Sequence, residues 1–365
     1  SDYFGSSVSL FKDTALIGAY LEDGNGISDS GSVYVFTRIS SSSSNEGSSV
    51  ITTTWTQQTK LYASDAAASD YFGISVSLYG DTALIGAYYD DDNGKTDSGS
   101  VYVFTRISSS SSNEGSSVIT TTWTQQTKLY ASDAAASDYF GISVSLYEDT
   151  ALIGAYYDDD KGTNTGSVYV FKKNISSDGL STTWNQQLKL YAIDAAASDN
   201  FGMSVSLYGD TALIGAPYDD ESGLTDSGSV YVFTRAANMW MQRTKLYASD
   251  AIASDYFGAS VSLYGDTALI GAYGKDVNGK SNSGSVYVFT RISSSNQIES
   301  WTQRTKIFSS DGAAQDNFGF SVSLYGDTAL IGASGDDGNG KTDSGAVYIF
   351  TRSSSSSSIE SSSLK

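Results

Sequence analysis

Asp70-Tyr71-Phe72-Gly73, then Thr82-Ala83-Leu84-Ile85-Gly86-Ala87, then Gly99-Ser100-Val101-Tyr102-Val103-Phe104: this ordered set of strings decides the fold, because it occurs six times with small changes. The first string starts at Asp2, Asp70, Asp138 and Asp255, and reads Asp-Asn-Phe-Gly at Asp199 and Asp316. Its Phe residues stand at 4, 72, 140, 201, 257 and 318, in steps of 68, 68, 61, 56 and 61. Such self-similarity marks stacked supersecondary units that touch their neighbours, not one irregular core. Residues 37–79 and 105–147 are identical, which points to a late duplication.

The second copy shows the unit. Residues 71–79 alternate and predict a first strand, and Gly80-Asp81 a tight hairpin turn. Residues 82–88 predict a second, almost wholly apolar strand, and 90–98 a polar loop. Residues 99–106 predict a third strand and 123–131 a fourth, after a Ser-rich loop. Strands apolar on both faces must be covered on both faces. Four-stranded antiparallel sheets packed against each other meet that demand as blades of a β-propeller.

The expected fold is therefore all-β, a single six-bladed propeller over 1–365. Its repeats run approximately 1–68, 69–136, 137–197, 198–253, 254–314 and 315–365. A seven-bladed propeller with part missing is the alternative. Gln125, Gln126 and Lys128 make the fourth strand the most polar, which suits an outer edge. Its leading Trp (Trp55, Trp123, Trp184, Trp240, Trp301) offers a large apolar body for packing.

Length varies mainly in the loop between strands three and four: 39–54, 107–122, 174–183, 236–239 and 292–300. Its Ser tracts are expected not to order themselves, for want of apolar surface. The sixth copy has no Trp-bearing fourth strand. Three outcomes follow: the tail 359–365 pairs, a seventh blade exists, or the open edge of the last blade accepts a strand of another chain, giving self-association.

Composition removes whole classes of chemistry. The chain has no Cys and no His. That excludes disulfides, thiolate metal sites, Cys nucleophiles and a Ser-His-Asp triad. A net charge of -20 repels phosphate backbones, so nucleic acid is not an expected partner. No apolar stretch is long enough to predict a membrane span. Because the chain begins at Ser1, it is expected to be a processed form or a fragment whose missing end carried a secretion signal. Asn174-Ile175-Ser176 is an acceptor sequon, so Asn174 is a candidate glycosylation site.

Phe-Gly, then Gly-Ala (once Gly215-Ala216-Pro217), then Gly-x-Val-Tyr-Val-Phe resembles the FG-GAP repeat of integrin alpha-subunit propellers and related microbial proteins. The resemblance covers the whole chain. It implies a β-propeller, an extracellular or cell-surface setting, and work in adhesion or ligand binding. The integrin branch holds calcium between the Phe-Gly and Gly-Ala-Pro strands. Here that connection is only Tyr79-Gly80-Asp81, too short to wrap a cation, so the family's metal ligands are not carried over.

The acidic loop lies one connection later and repeats Asp-x-Asn-Gly-x-x-Asp. It gives Asp23, Asn25 and Asp29; Asp91, Asn93 and Asp97; and Asp337, Asn339 and Asp343. Copy four has Asp220 and Asp226, copy five Asp276, Asn278 and Asn282, and copy three, around 158–161, loses the pattern. Oxygen donors around a Gly turn suit calcium, the one cofactor expected. The same residue types close ordinary polar turns. Further acids, such as Asp65 and Asp70, sit in the link between blades. In an up-and-down blade that link and the acidic loop emerge on one face, which is expected to take a protein or glycan ligand. Tyr88-Tyr89 and Tyr156-Tyr157 could stack on sugars, or simply pack.

These residues lead to a non-enzymatic extracellular adhesion or structural module, possibly calcium-binding. The alternatives are a carbohydrate-binding propeller and a glycan-cleaving enzyme built on paired carboxylates such as Asp65 and Asp70. No catalytic residue is assigned, because those acids recur in nearly every copy.

Overall fold

Alternating apolar residues and two-residue turns build six four-stranded antiparallel sheets in chain order. The computed structural model describes residues 2–364 apart from 46–47, 93, 114–115, 180, 238, 294–298, 338–340 and 353–358. Blade 1 holds β1 (Phe4–Phe11), β2 (Thr14–Ala19), β3 (Ser32–Asn45) and β4 (Ser48–Leu61). Blade 2 holds β5 (Ser75–Tyr79), β6 (Thr82–Ala87), β7 (Ser100–Asn113) and β8 (Ser116–Leu129). Blade 3 holds β9 (Ser143–Tyr147), β10 (Thr150–Ala155), β11 (Ser167–Ile175) and β12 (Thr182–Leu190). Blade 4 holds β13 (Ser204–Tyr208), β14 (Thr211–Ala216), β15 (Ser229–Ala236) and β16 (Met239–Leu246). Blade 5 holds β17 (Ser260–Tyr264), β18 (Thr267–Ala272), β19 (Ser285–Ser293) and β20 (Glu299–Ile307). Blade 6 holds β21 (Phe318–Tyr325), β22 (Thr328–Ala333), β23 (Ala346–Arg352) and β24 (Ile359–Leu364).

The class is the six-bladed β-propeller, and the only helical turns among the described residues are two 3-10 turns, Gly24–Gly26 and Glu221–Gly223. The chain forms two compact units, Ser1–Ile153 with Tyr169–Leu188 and Gly154–Val168 with Lys189–Lys365.

One packing rule serves the blades within each unit. In the first, Leu16, Val33, Val35 and Leu61 of blade 1 bury against Phe72, Val76, Leu78, Ala83 and Ile85 of blade 2. Phe72 is fully buried and meets Tyr102 and Phe104 edge-on at 5.4 and 6.1 Å. Burial of a side chain this size stabilises by about 1.5–3 kcal/mol. In the second unit, Leu269, Val286 and Ile307 of blade 5 bury against Phe318, Ala329 and Ile331 of blade 6. β6, β10 and β14 are buried at every position, as strands covered on both faces must be.

The glycines of the repeat are where neighbouring backbones touch. A Cβ on Gly18 would stand 2.0 Å from the carbonyl oxygen of Gly73 in the next blade. The hydroxyl of Ser7 donates to that same carbonyl at 2.7 Å. The Phe-Gly of one blade thus lies on the Gly-Ala of the blade before it.

Two strand expectations change, and for the tail the first of the three expected outcomes holds. The first strand of blade 2 begins at Ser75, because Tyr71 (φ 58) and Gly73 (φ 97) leave the extended region. The Ser-rich loops of the first two copies are hairpin extensions: β3 and β4, like β7 and β8, run 14 residues each. There the Ser tract pairs with the β-prone Val-Ile-Thr-Thr-Thr segment, Ser40 opposite Thr53 and Ser43 opposite Val50. In blade 6 the tail pairs: Ile359–Leu364 lies along β23, Leu364 opposite Val347, so β23 does not offer the open edge that strand addition needs.

Candidate functional site

The acidic loop between the second and third strands owes its spacing to backbone closure. The first Asp accepts the backbone N–H of the residue six positions on: Asp23 from Asp29 (3.0 Å), Asp91 from Asp97 (2.8 Å), Asp220 from Asp226 (2.8 Å), Asp276 from Asn282 (2.8 Å) and Asp337 from Asp343 (2.9 Å). In three of the loops two non-glycine residues take left-handed backbone: Asn25 (φ 52) with Asp29 (φ 50), Ser222 (φ 55) with Asp226 (φ 53), and Asn278 (φ 53) with Asn282 (φ 51). Asn and Asp tolerate that region better than other non-Gly residues. The third copy keeps the device with one residue fewer: Asn164 N–H donates to Asp159 Oδ1 at 2.5 Å. Asn93 and Asn339 lie outside the described residues.

Each of the first five loops clips the following blade. The carbonyls of Ser28, Asp29 and Ser30 accept the N–H groups of Ser69, Tyr71 and Phe72 at 3.0, 3.3 and 3.0 Å. The Asp before each Phe-Gly pair is buried from the second copy on. Asp70 Oδ2 accepts the Ala67 N–H at 2.6 Å, and Asp138, Asp199, Asp255 and Asp316 make the equivalent bond. Burial pushes the Asp70 carboxyl up to about 6; the Ala67 N–H opposes the shift and the Asp90 charge adds to it.

A lysine gathers the remaining acids. In blade 2 the Lys128 ammonium meets Asp65 at 3.0 Å, Asp90 at 2.9 Å and Asp92 at 3.6 Å. The Tyr102 hydroxyl bonds Asp65 and Asp90, and Tyr102 sits opposite Lys128 in the β7–β8 register. Burial works to raise the Asp65 carboxyl, but the bonds from Lys128 and Tyr102 outweigh it and hold the group below its ordinary range. Blade 4 repeats the set with Tyr231, Asp194, Asp219, Glu221 and Lys245. In blade 5, Lys275 takes the place of the loop carboxylate and pairs with buried Asp255 at 2.9 Å.

These Lys and Tyr residues are the part of the site that residue-type reasoning passes over. Their signal is repetition: one cation in the fourth strand, just before a closing Leu or Ile, opposite the Tyr of the third.

Loop and link do meet. Asp65 and Asp70 of the link, with Tyr89, Asp90, Asp91, Asp92 and Asp97 of the loop and Lys128, line a cleft of about 350 Å³. Burial, then the neighbouring Asp91 charge, raises the Asp97 carboxyl, and Asp226 is raised the same way beside Asp220. Each such loop brings two carboxylates within mutual reach. Among the described residues no group of three or more Asp, Glu, His or Cys side chains converges as a metal cage. The donors fit a shared, largely hydrated cation and fall short of the six to eight oxygens of a protein-built calcium site.

Other recurring features of the repeat and the remaining candidate positions make these contacts. Asp81, in the short first turn, pairs with Arg106 (Nε to Oδ1 2.7 Å), and Asp13, Asp210, Asp266 and Asp327 pair in the same way with Arg38, Arg235, Arg291 and Arg352. Arg106 also lies 5.9 Å over the Trp123 ring. Tyr88 and Tyr89 pack on each other at 4.3 Å, and Tyr89 on Tyr71 and Tyr139 at 5.0 and 5.1 Å. Asn174 is exposed and its side-chain amide donates to the Lys172 carbonyl.

Known proteins add the following. The periplasmic gluconolactonase PpgL of Pseudomonas aeruginosa shares the fold at a TM-score of 0.54 and 13% identity, over 99% of this chain and 84% of that one. Two structures of Sqt1 from Chaetomium thermophilum align at a TM-score of 0.47 and 12% identity, over 96% of this chain and 69% and 70% of theirs. Among curated proteins none matches this sequence. The expectation that the chain is not an enzyme is corrected by the first of these: a gluconolactonase carries the same fold, so the fold admits an enzyme. The family model described as FG-GAP repeat matches residues 1–36, 55–104, 123–171, 184–233, 240–289 and 301–350, and the chain belongs to the FG-GAP repeat family.

Proposed function

We propose that this chain is an extracellular or cell-surface interaction module, working in adhesion or as a structural binding partner. Its ligand, a protein or a glycan, would dock on the face that carries the acidic loops and links. The observation behind this reading is the cleft between Asp65, Asp70, Tyr89, Asp91, Asp97 and Lys128. Its rim is carboxylate-rich, its loop is held by the Asp91–Asp97 closure, and one aromatic ring stands in its wall. Such a surface complements a basic protein segment through charge. It also offers hydrogen-bond acceptors and a ring face to a sugar. An exported setting is compatible with the FG-GAP repeats and with the periplasmic fold relative. Calcium belongs to the same proposal as a weakly held, shared ion at the paired carboxylates, and N-glycosylation at exposed Asn174 accompanies export.

The test is binding of the full chain to a panel of basic peptides and to a glycan array, in calcium and in chelator. Asp97→Asn keeps the backbone N–H that closes the loop and removes one rim charge, so it should weaken capture at least several-fold. Equal capture by the variant and the wild type would move the ligand away from this face.

A further inference from the structure

We propose that the tyrosines closing the first strand of successive blades are a modification site, where peroxide couples neighbouring rings as dityrosine and so joins one blade to the next. The rings are Tyr79 and Tyr147 in the first unit, and Tyr208, Tyr264 and Tyr325 in the second. Each is the last residue of its strand, just before the two-residue turn.

Tyr79 lies 5.1 Å from Tyr147, and Tyr264 lies 5.0 Å from both Tyr208 and Tyr325, with ring planes tilted by 47°, 53° and 58°. The Tyr264 hydroxyl is hydrogen-bonded to those of Tyr208 and Tyr325. Ortho carbons flank the carbon that bears the hydroxyl, so hydroxyls this close bring the ortho carbons of two rings side by side. The backbone holds each row in place. Ser77 accepts the N–H of Leu146, one residue before Tyr147, at 2.9 Å. Ser206 and Ser262 accept those of Leu263 and Leu324 at 3.0 Å. Reacting groups already fixed in contact need no encounter, which favours coupling within the row.

The chain has 26 Tyr and no Cys, so phenol coupling is open to it where a disulfide is not. The core tyrosines do not qualify: Tyr102, Tyr231 and Tyr287 are fully buried, bond to aspartates and meet phenylalanine rings edge-on. Tyr79 and Tyr264, each between two rings of its own unit, are half-buried, so part of each ring faces solvent. Hydrogen peroxide, acting through a haem peroxidase, removes one electron and one proton from each of two phenols. The phenoxyl radicals join by one C–C bond between ortho carbons. The two ortho hydrogens move as protons to the ring oxygens and restore both phenols. The O–O bond of the peroxide breaks, and it takes up the two electrons and two protons as two waters.

The test oxidises the dilute full chain with hydrogen peroxide and a haem peroxidase, isolates the monomer, and maps its digest by mass spectrometry. Joined peptides, two hydrogens lighter than their sum, should carry Tyr79 with Tyr147, and Tyr264 with Tyr208 or Tyr325, at several-fold higher yield than any other pair. Tyr264→Phe keeps the ring and should abolish the second set while Tyr79 and Tyr147 still couple. Blade 1 supplies the converse variant. Phe11 stands in the same row, 4.9 Å from Tyr79 at a tilt of 46°, but has no phenol. Phe11→Tyr should add a product joined at positions 11 and 79. No coupled monomer, coupling spread evenly over other pairs such as Tyr88 with Tyr89, or no new product from Phe11→Tyr overturns the proposal.

Discussion

The backbone N–H of Asp97 donates to Oδ1 of Asp91, 2.8 Å away and six residues earlier in the chain. That bond makes the acidic loop a closed turn before it is anything else. Asp91→Ala removes the acceptor and leaves the N–H unpaired, at an expected cost of about 0.5–1.5 kcal/mol. Asp91→Asn keeps an oxygen at the same place and should cost less than half as much. Urea titration of both variants decides it; equal losses would show that the charge, not the closure, matters.

Paired carboxylates on that loop give calcium a different signature. If Asp91 and Asp97 share a hydrated ion, millimolar calcium should raise the melting midpoint over chelator, and Asp97→Asn should shrink the rise while leaving the closure intact. Binding to the folded state alone produces such a shift. An identical midpoint in calcium and chelator for the wild type removes the ion from the proposal.

Lys128 joins carboxylates from two blades, Asp65 from the link that follows blade 1 and Asp90 from the loop of blade 2. Asp90 is nearly buried, so removing the cation strands it. Lys128→Met should cost about 2–3 kcal/mol, at or just below the low end for breaking a buried pair. Adding Asp90→Asn should restore part of that. Blade 5 supplies a natural precedent, with Lys275 standing where the other blades hold an acid and pairing with Asp255 instead. Additive losses in the double variant would rule out coupling.

Stability should fall as pH rises through the weakly acidic range. Asp70 and Asp199 are raised from the ordinary 3.8 to about 6 in the fold. Between those values the folded chain binds more protons than the unfolded chain, so their contribution declines as pH climbs through that window. Asp65, Asp194 and Asp250 are lowered, with the opposite sign. Their contribution is present above 3.8 and is lost as pH drops below it. The melting midpoint should therefore peak near about pH 4–5. Asp70→Asn/Asp199→Asn should flatten the decline above it by on the order of 2 kcal/mol per site. Parallel curves for variant and wild type would locate the pH dependence elsewhere.

Phe72 and Gly73 show how far the residues alone could be read. Their sixfold return, with apolar strands behind them, was enough for four-stranded blades, since period and turn chemistry are local properties. What Gly73 touches is not local. Its partner, Gly18, lies in another copy, and only the packed structure shows that the repeat's glycines mark where two backbones meet. Lys128 was visible as a polar outer-strand residue, yet its three carboxylate partners come from segments some 36 to 63 positions earlier. The Ser tract of β3 misled because composition speaks for disorder while the segment opposite it, Val50 to Thr54, is strand-forming.

Gly86 and Gly80 separate crowding from conformation. Gly86 lies in extended backbone, and a Cβ there would stand 2.0 Å from the Gly141 carbonyl oxygen and 2.3 Å from Ser75 Oγ. The first of these atoms is backbone of the next blade and cannot swing aside. Gly86→Ala should therefore force two sheets apart and cost more than about 4 kcal/mol, or prevent folding altogether. Gly80 has the opposite character: φ is +61, and nothing lies within 4 Å of the added atom. Gly80→Ala should cost only the left-handed backbone term, about 1–2 kcal/mol. Glu148 already occupies the equivalent position in the third copy at φ 54, so the turn accepts a side chain. Denaturant unfolding of the two variants should differ by at least about 2 kcal/mol, because contact between blades outweighs backbone preference within a turn. A Gly86→Ala chain as stable as Gly80→Ala would mean that these neighbouring blades do not meet at their glycines.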